Sequence, residues 1–223
     1  MVSFGFLPFF RENRHLLKTV VFDMGNVLVH FSHDRMCEQI GALCGRSGGD
    51  IQRLLIDSGL QWDFERGRMP PRELHRQIVE LVDEPLDYDA VRLAASDIFW
   101  LNEPIVPVLD DLRRRGLRLV LLSNTSEWHF EFIWERFDVL QRLDAHVLSC
   151  RVGAIKPEPP MFEAILKEIA CEPGEAFYTD DIARYVDVGR SYGLQAEVFT
   201  DVPTLRRHLA GRGVTERVVV GGR

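Results

Sequence analysis

Three features of this 223-residue sequence predict an α/β fold, a parallel sheet with helices on both faces. Strand-like and helix-like segments alternate after Pro104, a β-branched and aromatic run ends in Asp23, and helical patterns alone occupy residues 34–103. Strands separated by helices of roughly 10–15 residues need crossover connections, which make neighbouring strands parallel. The helical stretch therefore reads as an insertion after the first strand of a Rossmann-like sheet.

Lys18-Thr-Val-Val-Phe-Asp23 is the first strand, a buried run that delivers an acid at its C-terminal end. In the insertion, Met36, Ile40 and Leu43 stand at helical spacing. Ile51 to Ile56, Glu73 to Val82 and Val91 to Phe99 follow as helices, and no strand competes with them. Gly45, Gly48-Gly49, Gly67 and Pro70-Pro71 separate these helices. Helix Ile105 to Arg115 stops at Gly116, and Leu117 to Leu122 is the second strand. Helix Glu127 to Phe137 then leads to strand Ala145 to Ser149, and helix Pro160 to Ala170 to strand Ala176 to Thr179. Helix Ile182 to Tyr192, strand Ala196 to Thr200 and helix Pro203 to Leu209 complete the series. The expected division is a core of 18–33 and 104–210, an insertion of 34–103, and terminal extensions of 1–17 and 211–223.

A content of 46% hydrophobic and 27% charged residues is that of a globular chain and excludes disordered and fibrous classes. The net charge of −7 opposes binding to nucleic acid or to an anionic membrane surface, so neither is expected as a partner. Cys37, Cys44, Cys150 and Cys171 have no metal-site or disulfide spacing, which suggests a reduced, cytoplasmic protein. No apolar run is long enough to span a membrane. The apolar stretch Val2 to Phe10 lacks the flanks of a secretory signal.

Ligands of an open parallel sheet bind beyond the carboxyl ends of its strands. The residues there are Asp23, then Ser123-Asn124-Thr125, then Lys156, then Asp180-Asp181. Singly these are ordinary helix caps or surface charges. Together, acids facing a lysine and a hydroxyl can hold a divalent cation and a phosphate.

The ordered set Phe22-Asp23-Met-Gly-Asn-Val-Leu, Leu122-Ser-Asn-Thr125, Gly153-Ala-Ile-Lys156-Pro-Glu-Pro and Tyr178-Thr-Asp180-Asp181 resembles the four motifs of the haloacid dehalogenase (HAD) superfamily of hydrolases. The helical insertion is similar to the superfamily's C1 cap. Phe64-Glu65-Arg66-Gly67 and the Asp-x-Gly-Asn-Val wording resemble the branch of bacterial α-glucose-1-phosphatase and the N-terminal phosphatase domain of soluble epoxide hydrolase.

The resemblance implies a Mg²⁺-dependent phosphatase acting on small phosphomonoesters, sugar phosphates among them, as a monomer or homodimer. Asp23 would be the nucleophile that forms an aspartyl-phosphate. The implied Mg²⁺ ligands are Asp23, the Gly25 backbone carbonyl and Asp181, with Asp180 behind them. Ser123 and the Asn124 backbone N–H would hold phosphate, and Lys156 would steady the nucleophile and the transferring group. Phe64 and Arg66 are cap candidates for substrate contact, with Trp62 and Phe64 also readable as core aromatics.

Two departures stand out. Gly25 replaces the second acid of the usual Asp-x-Asp, which removes acid–base help worth about 10² to 10⁴ in rate. Activated leaving groups are then expected to be favoured, with His30 and His33 the nearest histidines. Tyr185 stands where Asn or Asp is common. The alternatives are a metal-free 2-haloacid dehalogenase-like hydrolase, which the Asp180-Asp181 pair disfavours, and a catalytically silent phosphate-binding or regulatory protein.

Overall fold

The computed structural model describes residues 17–214. The expected extensions lie mostly outside the described residues, but Leu17 belongs to the core at 8% exposure and the last helix runs to Gly211. Five strands form one parallel sheet: β1 (Thr19–Phe22), β4 (Arg118–Ser123), β5 (Ala145–Leu148), β6 (Ala176–Asp180) and β7 (Gln195–Val198), in the order β5-β4-β1-β6-β7. The chain fills one side of β1 and then returns to fill the other, so the sheet's topological switch point lies at the end of β1.

Alternate side chains of each strand point to opposite faces, which explains why the strands read as continuous apolar runs. Val20, Phe22, Leu119, Leu121 and Phe177 pack on one face with α6 (Val106–Arg114), α7 (Glu127–Arg136) and α11 (Val202–Gly211). Val21, Val120, Leu122 and Tyr178 pack on the other with α9 (Pro159–Glu168) and α10 (Ala183–Ser191).

Between β1 and α6 the chain forms α1 (His33–Cys44), α2 (Gly48–Gln52), α3 (Leu60–Glu65), α4 (Pro71–Val82) and α5 (Tyr88–Ser96), with a π-helical turn at Arg53–Asp57. Their apolar faces enclose a cluster of their own, including Met36, Ile40, Phe64, Ile78 and Val91, and Trp128 of α7 inserts into it from the sheet layer. Ser32 caps α1 through an Arg35 N–H bond of 3.1 Å, and Asp87 caps α5 through Ala90 N–H.

The sequence reading failed at the end of this layer. The expected helix Val91 to Phe99 ends at Ser96, and β3 (Phe99–Leu101) pairs antiparallel with β2 (Val29–Phe31). An aromatic segment beside another extended chain gains a ladder and cross-strand packing that an added helical turn would not supply. These two strands are also the places where the chain leaves the sheet layer and comes back to it.

Candidate active site

Asp23 follows β1 directly, and its backbone N–H donates to Thr179 O of β6 at 3.0 Å, which continues the ladder one residue beyond the strand. Asp180 ends β6, and Asn124 follows β4. Lys156 comes from the loop between α8 (Ser149–Val152) and α9, where it is 2% exposed. The Asn124 side chain clamps that loop: its Oδ1 accepts from Lys156 N–H at 2.7 Å and its Nδ2 donates to Lys156 O at 3.3 Å.

All three ammonium hydrogens of Lys156 are used. Nζ donates to Asp23 Oδ1 at 2.7 Å, Asp180 Oδ2 at 2.6 Å and Leu122 O at 3.0 Å. Burial alone would lower the lysine pKa, but Asp180 and Asp23 outweigh it and hold the group firmly protonated. Burial is also the largest influence on Asp23 and pushes its carboxyl up to about 7, against the pull of Lys156. A divalent cation would pull in the same direction as Lys156.

Asp180 has no exposure and is already well bonded: Tyr178 OH donates to Oδ2 at 2.5 Å and Ile182 N–H to Oδ1 at 2.8 Å. The phenol of Tyr178 has its pKa raised by burial and by Asp180, so it stays a donor. Asp181 is half-buried, and its Oδ2 accepts from Asn26 Nδ2 at 2.9 Å. One oxygen each from Asp23, Asp180 and Asp181 lies within 4.8 Å of the others. This oxygen-only set suits a hard cation such as Mg²⁺. Because Asp180 already serves Lys156, Tyr178 and Ile182, Asp23 and Asp181 are the better-placed ligands.

A cavity of about 180 Å³ opens over these groups. Its floor carries Asp23, Gly25, Asn26, Asn124, Thr125, Lys156 and Asp181, and its walls carry Phe31, His33, Trp62, Glu65, Phe99, His129 and Tyr185. Two histidines thus line it, and burial lowers both pKa values, that of His129 to about 4. His129 also bonds Ala95 O through Nε2 at 3.1 Å.

Several expected contacts lie elsewhere. Phe64 is a core residue at 3% exposure, its ring 5.3 Å from that of Trp128, because the inward face of α3 must fill the helical cluster. Trp62, on the other face, reaches the cavity. Arg66 pairs with Glu158 at 2.5 Å and is not on the cavity wall. Ser123 is fully buried and does not line the cavity, its hydroxyl turned to Asn124 O at 3.3 Å. His30 packs against Trp100, away from the cavity. A Cβ at Gly25 would stand 2.9 Å from the Phe31 ring, so the space of the missing acid is occupied.

Sequence reasoning missed Asn26, which holds Asp181, and His129 on the cavity wall, and it named Glu65 within the cap motif without giving it a role at the site. Asn26 stood within the first motif, and Glu65 next to two residues that were singled out. His129 had no sequence signal, because only tertiary packing carries α7 to this wall.

Known proteins share both the sequence pattern and the fold. D-ribitol-5-phosphate phosphatase of Bacteroides thetaiotaomicron is 25% identical over 189 residues, covering 81% of this chain and 90% of its own. Phosphatase MT3486 of Mycobacterium tuberculosis is 28% identical over 207 residues, covering 81% and 86%. A HAD family enzyme from Bacteroides thetaiotaomicron, crystallised with magnesium and inorganic phosphate, superposes with a TM-score of 0.76 at 22% identity over 85% of this chain and 98% of that one, which shows a shared fold. The haloacid dehalogenase-like hydrolase family model matches residues 17–193, and with this fold and these strand-end residues the chain belongs to that family of enzymes.

Proposed function

We propose that the protein is a Mg²⁺-dependent phosphatase that hydrolyses small phosphomonoesters through an aspartyl-phosphate on Asp23. The observation that carries the reading is the buried Lys156 bonded to both Asp23 and Asp180 beside Asp181, beneath an open cavity. Asp23, the Gly25 carbonyl and Asp181 would hold a Mg²⁺, which would supply charge neutralisation for phosphate. Lys156 keeps one carboxylate oxygen of Asp23 fixed, leaving the other to attack phosphorus. The Asn124 backbone N–H receives a phosphate oxygen, while the Asn124 side chain keeps the Lys156 loop in place. Water then attacks the phosphorus of the aspartyl-phosphate and regenerates Asp23.

The cavity favours a small leaving group without a second anion. Its walls are largely aromatic, and among the described residues the one Lys or Arg lining it is Lys156, all of whose donors are taken. Sugar monophosphates fit this description, since ring C–H faces pack on aromatic side chains, whereas bisphosphates and nucleoside polyphosphates do not. The reading also divides the chain into a core of 18–33 and 104–210 and a helical cap of 34–103, supported by the cap's separate apolar cluster. The branch proposed from the sequence is in keeping with 31% identity over 101 residues to bifunctional epoxide hydrolase 2 of Sus scrofa, a match covering 45% of this chain and 16% of that one.

The test is phosphate release from a panel of phosphomonoesters across a Mg²⁺ titration, with Asp23→Asn as control. Mg²⁺-dependent release that Asp23→Asn abolishes is expected. Binding of inorganic phosphate without turnover would favour the silent binding protein, and metal-independent chloride release from 2-haloacids the dehalogenase.

A further inference from the structure

We propose that Glu65 is the proton donor to the leaving-group oxygen, a role the first motif cannot fill because Gly25 has no side chain. The inference rests on the phosphatase reading above. Glu65 lines the cavity from the cap side while being only 5% exposed, and among the described residues it forms no ion pair. Among the described residues its carboxyl has one hydrogen-bond partner, Gln61, whose Nε2 donates to Oε1 at 3.0 Å. A buried carboxyl without a cation favours its neutral form, and burial pushes this one up to about 7.

Its position is fixed from the sheet layer. Ser149 Oγ donates to Glu65 O at 2.6 Å, and Gly67 packs so closely on Cys150 that a Cβ would stand 2.1 Å from Cys150 O. The acid therefore sits at a tight joint between the two layers and lines the same cavity as Asp23, the space where a leaving oxygen must lie once Asp23 attacks phosphorus.

The other titratable groups on the cavity are poorer donors. Lys156 has no free hydrogen, and Asp23 and Asp181 serve the nucleophile and metal roles. Burial lowers the pKa of His33 on α1 and of His129 on α7, which disfavours their protonated forms. Burial raises the Tyr185 phenol, and its ring lies over the Lys156 ammonium at 5.2 Å. Cys150 on α8 is not on the cavity wall, and burial pushes its thiol up to about 11.

As the Asp23 oxygen bonds to phosphorus and the P–O bond to the leaving group breaks, the leaving oxygen takes the Glu65 proton. In the second step Glu65, now a carboxylate, takes a proton from the water that attacks the aspartyl-phosphate, so phosphate leaves and the neutral acid is restored.

The experiment compares Glu65→Gln with wild type on p-nitrophenyl phosphate and on an alkyl phosphate, glycerol 3-phosphate, at saturating Mg²⁺. An alkyl leaving group needs the proton and a nitrophenolate hardly does. Glu65→Gln is expected to lose about 10² to 10⁴ in kcat/KM on the alkyl ester and at most about tenfold on the aryl ester. A merely structural role would lower both alike. Glu65→Asp, which keeps the acid, should recover part of the alkyl activity and serves equally if the Gln variant does not fold. Independently of turnover, ¹³C-carboxyl NMR of the metal-free wild type should show Glu65 titrating near neutrality. Equal losses on both esters, or a Glu65 carboxyl already ionised at pH 5, would overturn the inference and leave the phosphatase reading standing. If wild type released no phosphate from either ester or from the wider panel, both would fall.

Discussion

Lys156 shows how one residue can be both structural and chemical. With 1% side-chain exposure, it neutralises two buried carboxylates that would otherwise repel each other. Removing one partner of such a cluster leaves uncompensated charge, which typically costs about 3–5 kcal/mol. Lys156→Met should therefore destabilise the metal-free protein by that order in urea unfolding, with the deficit shrinking at low pH as Asp23, whose carboxyl burial already pushes up, takes up a proton. A deficit unaffected by pH would show that lost packing, not charge, is the cause. Asp23→Asn preserves volume and removes the proposed nucleophile, so phosphate release should fall by at least about 10⁴ while the unfolding midpoint stays close to that of wild type.

At the scale of elements, the joint between α3 and α8 controls how the helical layer sits on the sheet layer. Gly67 has φ +69° and its Cα faces the Cys150 carbonyl with no room for a methyl group. Gly67→Ala should cost about 1–3 kcal/mol by calorimetry through backbone strain and forced separation. The nearby Arg66–Glu158 pair is partly exposed, at 21% and 36%, and its loss should cost less than about 1 kcal/mol. Glu65 makes the same joint sensitive to pH. Its folded pKa of about 7 exceeds the ordinary 4.5, so the folded state binds the proton more tightly. That contribution is whole below pH 4.5 and lost as pH rises through 7. Relative to Glu65→Gln, wild type should lose about 3 kcal/mol between pH 4.5 and 8 in metal-free urea titrations; parallel pH curves would show that Glu65 ionises freely when folded.

For the whole molecule, strand order is what gathers the site. β1 lies between β4 and β6, so residues separated by more than a hundred positions, such as Asp23 and Lys156, meet at one sheet edge. Mg²⁺ binding to this folded arrangement should raise Tm, since a ligand at 100 times its Kd adds about 2.7 kcal/mol. Asp181→Ala should abolish most of that rise in a thermal shift measured against Mg²⁺ concentration. An unchanged rise would put the cation elsewhere. No helix among the described residues is long and apolar enough to cross a membrane.

The sequence by itself determined the parallel sheet, the helical layer after its first strand, and the strand-end residues. Those patterns are local: buried strands read as unbroken apolar runs, helices carry their period, and polar residues follow each strand in a fixed order. Tertiary structure decided what local patterns cannot encode. Phe99-Trp-Leu101 becomes a strand only because Val29–Phe31 lies beside it. Phe64 turns inward and Trp62 toward the cavity because of how α3 packs, and Arg66 finds Glu158 across the joint. Glu65 was visible as an acid in a motif. Its burial without a cation, and so its fitness to hold a proton, follows from elements that sequence spacing does not bring together.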